Sequence, residues 1–490
     1  MAKSKAKAPA KAENAEKAEK RREKEKRELV RLEKELARPQ APGYMFYLIA
    51  IICIVYITDE VTTQIGTQMQ SIIAQALFAP IFGIEKAVSR MGLVGMITMV
   101  GAPLSFFYKP LSDKYGRKIF LFINTLGMGV GMFFIAISTN IPVYLLGSLL
   151  TGFFVPHDVQ AVYILETVPA KRRASFYSVI KAIATLGMLL IPVLRDLIMG
   201  DDIMKWRGVY LAPAIIAAVI AVFALLAVRE TTPFIRKRID FLKMSDEERE
   251  AAKTEKNAEH AQGGIVPAFK YTMSHKQLRW LLLGGGFVLW GIAMTSGYET
   301  IMTYGFAGDY LAQGIALDDA RSTVTPLVTQ ALFMFPFGSA FFQFIQGFFS
   351  DKLGRKIALI IVSLCGLVSF TSFYIGVNNG WNPYLIGFLC GSAVGSYWAT
   401  IDIAGIMCSE STPTNMRASV MTVQPVMSIV FAILPLVGGV IAQNILGDAF
   451  IGIISLIIAI PGLLTGMLII LFKVRETKGV NLEEVTGHEE

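Results

Sequence analysis

The stretch SDKYGRKIF (112–120) decides the reading, because SDKLGRKIA (350–358) writes it again 238 residues later. Each copy lies between long apolar runs. A second pair of matches follows: Asp158, Glu166, Pro169 and Arg173 repeat as Asp402, Glu410, Pro413 and Arg417, with identical internal spacing. A third closes each unit, as Arg229-Glu230-Thr-Thr and Arg475-Glu476-Thr-Lys. One unit of about six helices is therefore used twice.

The apolar runs fix the setting. The 490-residue chain is 53% hydrophobic and 17% charged, with mean hydropathy +0.52. Soluble domains carry about 25% charged residues. Twelve apolar blocks stand out, at 44–66, 88–108, 118–138, 142–166, 174–196, 208–229, 279–304, 326–349, 357–378, 382–408, 418–444 and 448–473. Each is near the ~20 residues that cross ~30 Å of hydrocarbon as a helix. The expected fold is an all-α polytopic membrane protein, twelve transmembrane helices forming two pseudo-symmetric six-helix bundles. Expected divisions are a charged tail (1–43), a first bundle (44–229), a linker (230–278), a second bundle (279–473) and a C-terminal tail (474–490).

Charge gives orientation and argues against nucleic acid. The net charge is +8, and residues 1–40 hold 14 Lys/Arg against 8 Asp/Glu. That tail is expected to be solvated, as a frayed helix with i,i+4 charge pairs over an anionic leaflet. Lys/Arg-rich loops fall on one side, which places both termini in the cytoplasm of a cell-membrane protein. The distal loops, such as RDLIMGDDIMKWR and GDYLAQGIALDDAR, are short or mixed in charge. The four cysteines suggest neither disulfides nor a metal site. No GxxxxGK[ST] loop is present, so no nucleotide-driven pump and no cofactor is expected. Nor does any catalytic constellation appear. A single copy is expected to act alone.

Ionisable groups inside spans are functional candidates. They are Asp59 and Glu60 in span one, His157 and Asp158 in span four, Lys181 in span five, Glu299 in span seven and Asp402 in span ten. No Arg is expected mid-span. Asp158 and Lys181 sit at similar depth on neighbouring helices and could pair. Asp402 has no such cation, since Pro425 replaces the lysine in the repeat. Desolvation of a carboxylate favours its protonated form, so Asp402, Asp59 or Glu60 is expected to bind a coupling proton. His157 could assist or be a structural donor. Glu299 either binds substrate or marks the outer mouth of span seven. Gln64, Gln160, Tyr163, Lys181, Trp290, Tyr298, Tyr397, Trp398 and Gln424 are further cavity candidates, with Tyr304, Gln330 and Gln343 beside them.

Two motifs carry a family resemblance over about 44–486. Gly-x-x-x-Asp-x-x-Gly-Arg-Lys follows spans two and eight, and Glu-x-x-Pro-x-x-x-Arg follows spans four and ten. With twelve spans, these resemble the major facilitator superfamily. The endings RETTPF and RETKGVNLEEV resemble its sugar-porter branch. Departures are Lys109 in place of the usual Gly, no Gln-Gln in span seven and no Gly-Pro-x-x-Trp in span ten. A hexose is therefore not specified.

The resemblance implies a secondary transporter of a small polar organic solute, working by alternating access. Proton symport is expected. Uniport, export of an organic ion, or a receptor on this fold are the rivals. The resemblance also implies a cytoplasmic latch made of Asp113, Gly116, Arg117, Glu166, Arg173 and Glu230, and of Asp351, Gly354, Arg355, Glu410, Arg417 and Glu476. Ordinary positive-inside anchoring is the alternative for its basic members.

Overall fold

A computed structural model describes residues 7–37, 43–98, 101, 104, 108, 111–154, 163, 173–200, 202–245, 247–249, 251, 265–412 and 414–479. Backbone N–H and C=O groups find no water in hydrocarbon, so each span closes its own hydrogen bonds as a helix. Span one is Tyr44–Gln68 continued by Gln70–Phe82. Span two includes Ala87–Thr98 and Leu111–Tyr115, and spans three and four are Arg117–Ala136 and Ile141–Phe154. Span five is Arg173–Gly187 with Leu190–Leu194 and Arg195–Met199, and span six is Trp206–Ala227. Span seven is broken into Lys276–Val288, the tighter turn Leu289–Met294, and Tyr298–Ala312. Spans eight to twelve are Leu317–Leu353, Arg355–Asn378, Pro383–Glu410, Thr414–Leu446 and Ile451–Lys473.

Nine helices among the described residues are long and apolar enough to cross a membrane, and Gln70–Phe82, Ile141–Phe154 and Val430–Leu446 are shorter apolar helices beside them. Several helices outrun their apolar blocks. Span one reaches Phe82 and span eight starts at Leu317. Hydropathy marks what hydrocarbon covers, whereas helical hydrogen bonding continues into polar residues beyond it. This difference moves Arg195 and Arg321 from expected loops into buried helix, each 1% exposed.

Each bundle has its own apolar core. One is built around Phe335, Phe370, Phe373 and Ile386 of the second half, and others around Phe78, Trp206 and Tyr210, and around Tyr56 and Leu121, in the first. Apolar lipid gives little drive for helix association, so close backbone contact must supply it. Spans eight and ten do this with glycines every fourth residue. A Cβ on Gly387, Gly391 or Gly395 would stand 1.7, 1.9 or 2.5 Å from the carbonyl oxygen of Ala331, Phe335 or Ser339.

The tail departs from the expected solvated arm. Lys7–Ala37 is a helix whose Leu29 and Leu32 pack on Ile235, Ile239 and Leu242 of the linker helix Thr232–Lys243. Arg238–Glu28 (2.8 Å), Lys243–Glu33 (2.7 Å) and Arg249–Glu25 (2.9 Å) flank that seam. Spaced leucines on one helical face give the tail something to bury, which its charge content conceals.

Gly391→Ala should lower the thermal stability of the purified protein by about 1–3 kcal/mol through overpacking. Gly285→Ala, whose Cβ meets nothing within 4 Å, should leave it unchanged. Equal melting temperatures for the two variants would refute the backbone-contact account.

Candidate functional site

The breaks in spans one and seven meet at the boundary between the halves. Span one is interrupted at Met69, whose backbone leaves the helical region (φ −116°, ψ 11°). Span seven is interrupted at Gly297, where φ is +74°. Only glycine adopts that value without strain, and a Cβ there would stand 2.2 Å from Ile451 Cδ1. Broken helices at membrane depth expose backbone and polar groups where a cavity can use them.

A cavity of about 450 Å³ lies against these breaks. Span one contributes Thr62, Thr63, Thr67 and Gln70, span four Ser148 and Thr151, and the span-seven break Ser296. Every polar lining group among the described residues is uncharged. Gln70, Gly95, Ser296 and Gly297 also border a second cavity of about 190 Å³, which continues towards Gln443 and Ser455 of the second half.

The face away from the termini is closed by buried contacts between the halves. Glu299 accepts hydrogen bonds from Ser71 N–H (2.8 Å) and Ser71 Oγ–H (2.6 Å). Arg195 Nη1 lies 3.3 Å from the same carboxylate, and both side chains are 1% exposed. Arg195 also donates to Gln68 O and to Thr329 Oγ1, and Arg321 Nη2 donates to Ser71 O (2.9 Å). Asp448 accepts from Val88 and Ser89 N–H (2.8 and 2.9 Å), at the start of span two. An anion there meets unpaired helix N–H groups. Glu299 thus joins the halves as a buried ion-pair member rather than only marking an outer mouth.

Towards the termini, an ion pair among the described residues crosses the halves. Lys181 Nζ lies 2.6 Å from Asp402 Oδ2, and Gln346 Nε2 donates to the same oxygen at 3.1 Å. The expectation that Asp402 lacks a cation is corrected: its partner comes from the other bundle, which a comparison within one repeat cannot reveal. Asp158, which the sequence reading allowed to pair with Lys181, lies outside the described residues, as do His157, Gln160 and Glu166. The side chains of Asp113, Arg173, Arg417 and Gln424 also lie outside them.

Asp59 is fully buried on span one, and Glu60 beside it is half-buried. Tyr298 donates to Gln64 Oε1 (3.2 Å) and stacks on Phe335, so both sequence candidates meet beside the cavity. Others lie elsewhere. Tyr163 donates to Arg229 O, Trp290 packs on Gly462, Tyr397 is buried against Trp398, and Trp398 is exposed. Sequence reading missed Gln70, Ser71, Arg195, Arg321 and Gln346. The charges among them were visible as loop residues, but not their burial.

Around the loops between spans two and three, and eight and nine, the described polar contacts of the expected latch run within each half. Arg355 bridges Asp351 (2.9 Å) and Glu410 (3.1 Å), and Glu410 accepts from Thr477 Oγ1 (2.6 Å). Gly354 (φ +96°) leaves room for Glu476, which accepts from the N–H groups of Arg355 (2.8 Å) and Lys356 (3.0 Å). Gly116 (φ +106°) and Glu230 repeat this at the N–H groups of Arg117 and Lys118, while Arg117 Nη1 donates to Ser112 Oγ. Burial opposes ionisation of Glu476, but the N–H groups of Lys478, Arg355, Lys356 and Thr477 outweigh it and hold its pKa below 4.5. At Glu230 burial outweighs similar N–H groups, and its pKa is raised.

Two measurements check these assignments. Glu299→Gln or Arg195→Met should each destabilise the protein by about 3–5 kcal/mol, because one buried charge loses its partner. The double variant should lose less than the sum in a double-mutant cycle; full additivity would remove the pair. For Glu476 the depressed pKa adds stability that is complete above pH 4.5 and lost as pH falls through its folded pKa. Glu476→Gln should therefore lower the melting temperature at pH 7 and match wild type at the acid end of that window. A constant offset across the titration would contradict this.

Residues 60–424 match the Major Facilitator Superfamily. Sugar transport protein 10 of Arabidopsis thaliana is 22% identical over 412 residues, 78% of this chain and 75% of that one. A probable hexose phosphate transport protein of Chlamydia trachomatis serovar D is 24% identical over 327 residues, 62% of this chain and 67% of its own. The xylose transporter XylE from E. coli, in an inward-open conformation, has the same fold. Its TM-score is 0.57 at 18% identity, covering 90% of this chain and 98% of that chain, and XylE is described as a proton:xylose symporter. With its repeated six-helix bundles and a family match over most of its length, this chain belongs to the Major Facilitator Superfamily and is a membrane transporter of small-molecule solutes rather than an enzyme.

Proposed function

We propose that the protein imports a neutral, hydroxyl-rich solute of sugar or polyol size by proton symport. The observation that carries this is the cavity between the broken helices. Its described polar lining is hydroxyl and amide, with no charged group, and about 450 Å³ suits a solute of that class. Amides and hydroxyls both donate and accept, which matches a sugar's alternating hydroxyls. The names of the Arabidopsis relative and of XylE agree with that class.

The terminal face is assigned to the cytoplasm of the cell membrane by its Lys/Arg-rich loops. Alternating access requires the distal contacts of Glu299, Arg321 and Asp448 to part in each cycle. One chain contains both halves of the site, so a single copy is the working unit.

Proton coupling is assigned to Asp402, with Asp59 and Glu60 as the other candidates. Ionised, Asp402 pairs with Lys181 across the halves. Protonated, it loses that charge–charge attraction and keeps only weaker hydrogen bonds, including the one from Gln346. Binding and release of one proton thus changes how strongly span five is held to span ten. The coupling needs only a few kcal/mol of differential affinity.

The test is uptake into proteoliposomes with a pH-sensitive dye inside, using pools of sugars, polyols, organic cations and organic acids. A sugar or polyol pool should acidify the lumen in wild type. Asp402→Asn should abolish acidification while solute counterflow persists. Loss only in Asp59→Asn or Glu60→Gln would move the proton site to span one. Solute entry with no pH change in wild type would replace symport by uniport, and a charged pool as the active one would overturn the neutral solute.

A further inference from the structure

We propose that Arg321 and Tyr304 frame a binding site for a small monovalent anion at the distal interface, separate from the solute cavity. Arg321 is 1% exposed. Its Nη2 donates to Ser71 O, but its Nε and Nη1 are buried with no acceptor among the described residues. The guanidinium carbon lies 5.6 Å from the centre of the Tyr304 ring. The Tyr304 hydroxyl is also buried without a partner among the described residues. Three unmet polar atoms therefore share one neighbourhood, and the two on Arg321 can only donate.

Charge points the same way. Arg321 donates to Ser71 O, while Arg195 pairs with Glu299, the carboxylate that Ser71 also holds. Both oxygens of Glu299 are already engaged by Ser71 and Arg195. Asp448, the other buried carboxylate on this face, has its oxygens committed to Val88, Ser89 and Gln443. A buried guanidinium with unmet donors is costly. A water could also accept from these donors, but Arg321 forms no ion pair among the described residues, and a monovalent anion adds a charge-assisted bond that water lacks. The face is also one where the halves meet, since Ser71 belongs to span one and Arg321 to span eight. An anion held there would favour the distally closed arrangement, because it binds the charge cluster only when the halves are together.

The anion could be a free halide or the anionic group of a dissolved organic acid, and the experiment separates them. Thermal unfolding of the purified, solute-free protein is followed in sodium tosylate, with chloride or gluconate substituted at constant ionic strength. Chloride should raise the melting temperature saturably by about 2–4 °C. Tyr304→Phe should weaken the half-saturating concentration roughly tenfold, and Arg321→Gln should abolish the response. Arg355→Gln, at the start of span nine on the terminal face, should retain it. A response to gluconate but not chloride would assign the site to a solute-borne carboxylate. No response to either anion in wild type would mean that water alone meets these donors, and the proposal fails. It also fails if the response survives in both Tyr304→Phe and Arg321→Gln. Should Arg321→Gln not fold, the Tyr304→Phe titration decides alone.

Discussion

The buried carboxylate of Glu299 is the contact on which this arrangement rests. It reaches from span seven to the backbone and side chain of Ser71 in span one, and to Arg195 in span five. Within an apolar medium an unpaired charge is intolerable, so both halves are committed to one another at this point. Neither bundle's apolar core supplies such a tie, because each core closes largely on its own helices. At this face the halves are held by polar contacts, and polar contacts can be exchanged without unfolding either half. This is the physical condition for a carrier that opens alternately on two sides.

The repeat explains the frame and its departures explain the chemistry. Gly116 with Glu230, and Gly354 with Glu476, are the same device: a positive-φ turn that lets a carboxylate approach the first N–H groups of the next helix. Yet burial sets the two carboxylates apart, with opposite shifts in acidity. Lys181 and Asp402 show a sharper break in symmetry, since each belongs to a different half and neither is paired by the repeat. This pair across the two halves arises where the copies have diverged.

How much could be read beforehand follows from this. Apolar length and the duplicated SDKxGRKI motif carried the architecture, because hydrocarbon thickness and gene-level repetition are both one-dimensional signals. The partner of Asp402 was out of reach, since 221 residues of chain separate it from Lys181. Arg195 and Arg321 were visible as charges but assigned to loops. A polar helix end buried between two bundles has the same local sequence as one in water. The leucines of the N-terminal helix were hidden for the converse reason, a few apolar residues among many charges.

Span eight has a mechanical role that its glycine seam implies. It is one continuous helix of 37 residues, about 55 Å at the usual rise. Arg321 stands near one end, Gln346 and Asp351 near the other. Backbone contact with span ten leaves little room for the two helices to slide past one another. A tilt of roughly 10° about the middle of such a beam carries each end about 5 Å, the length of a side chain. Such a tilt would turn a small movement at one end into a displacement large enough to part an interface at the other.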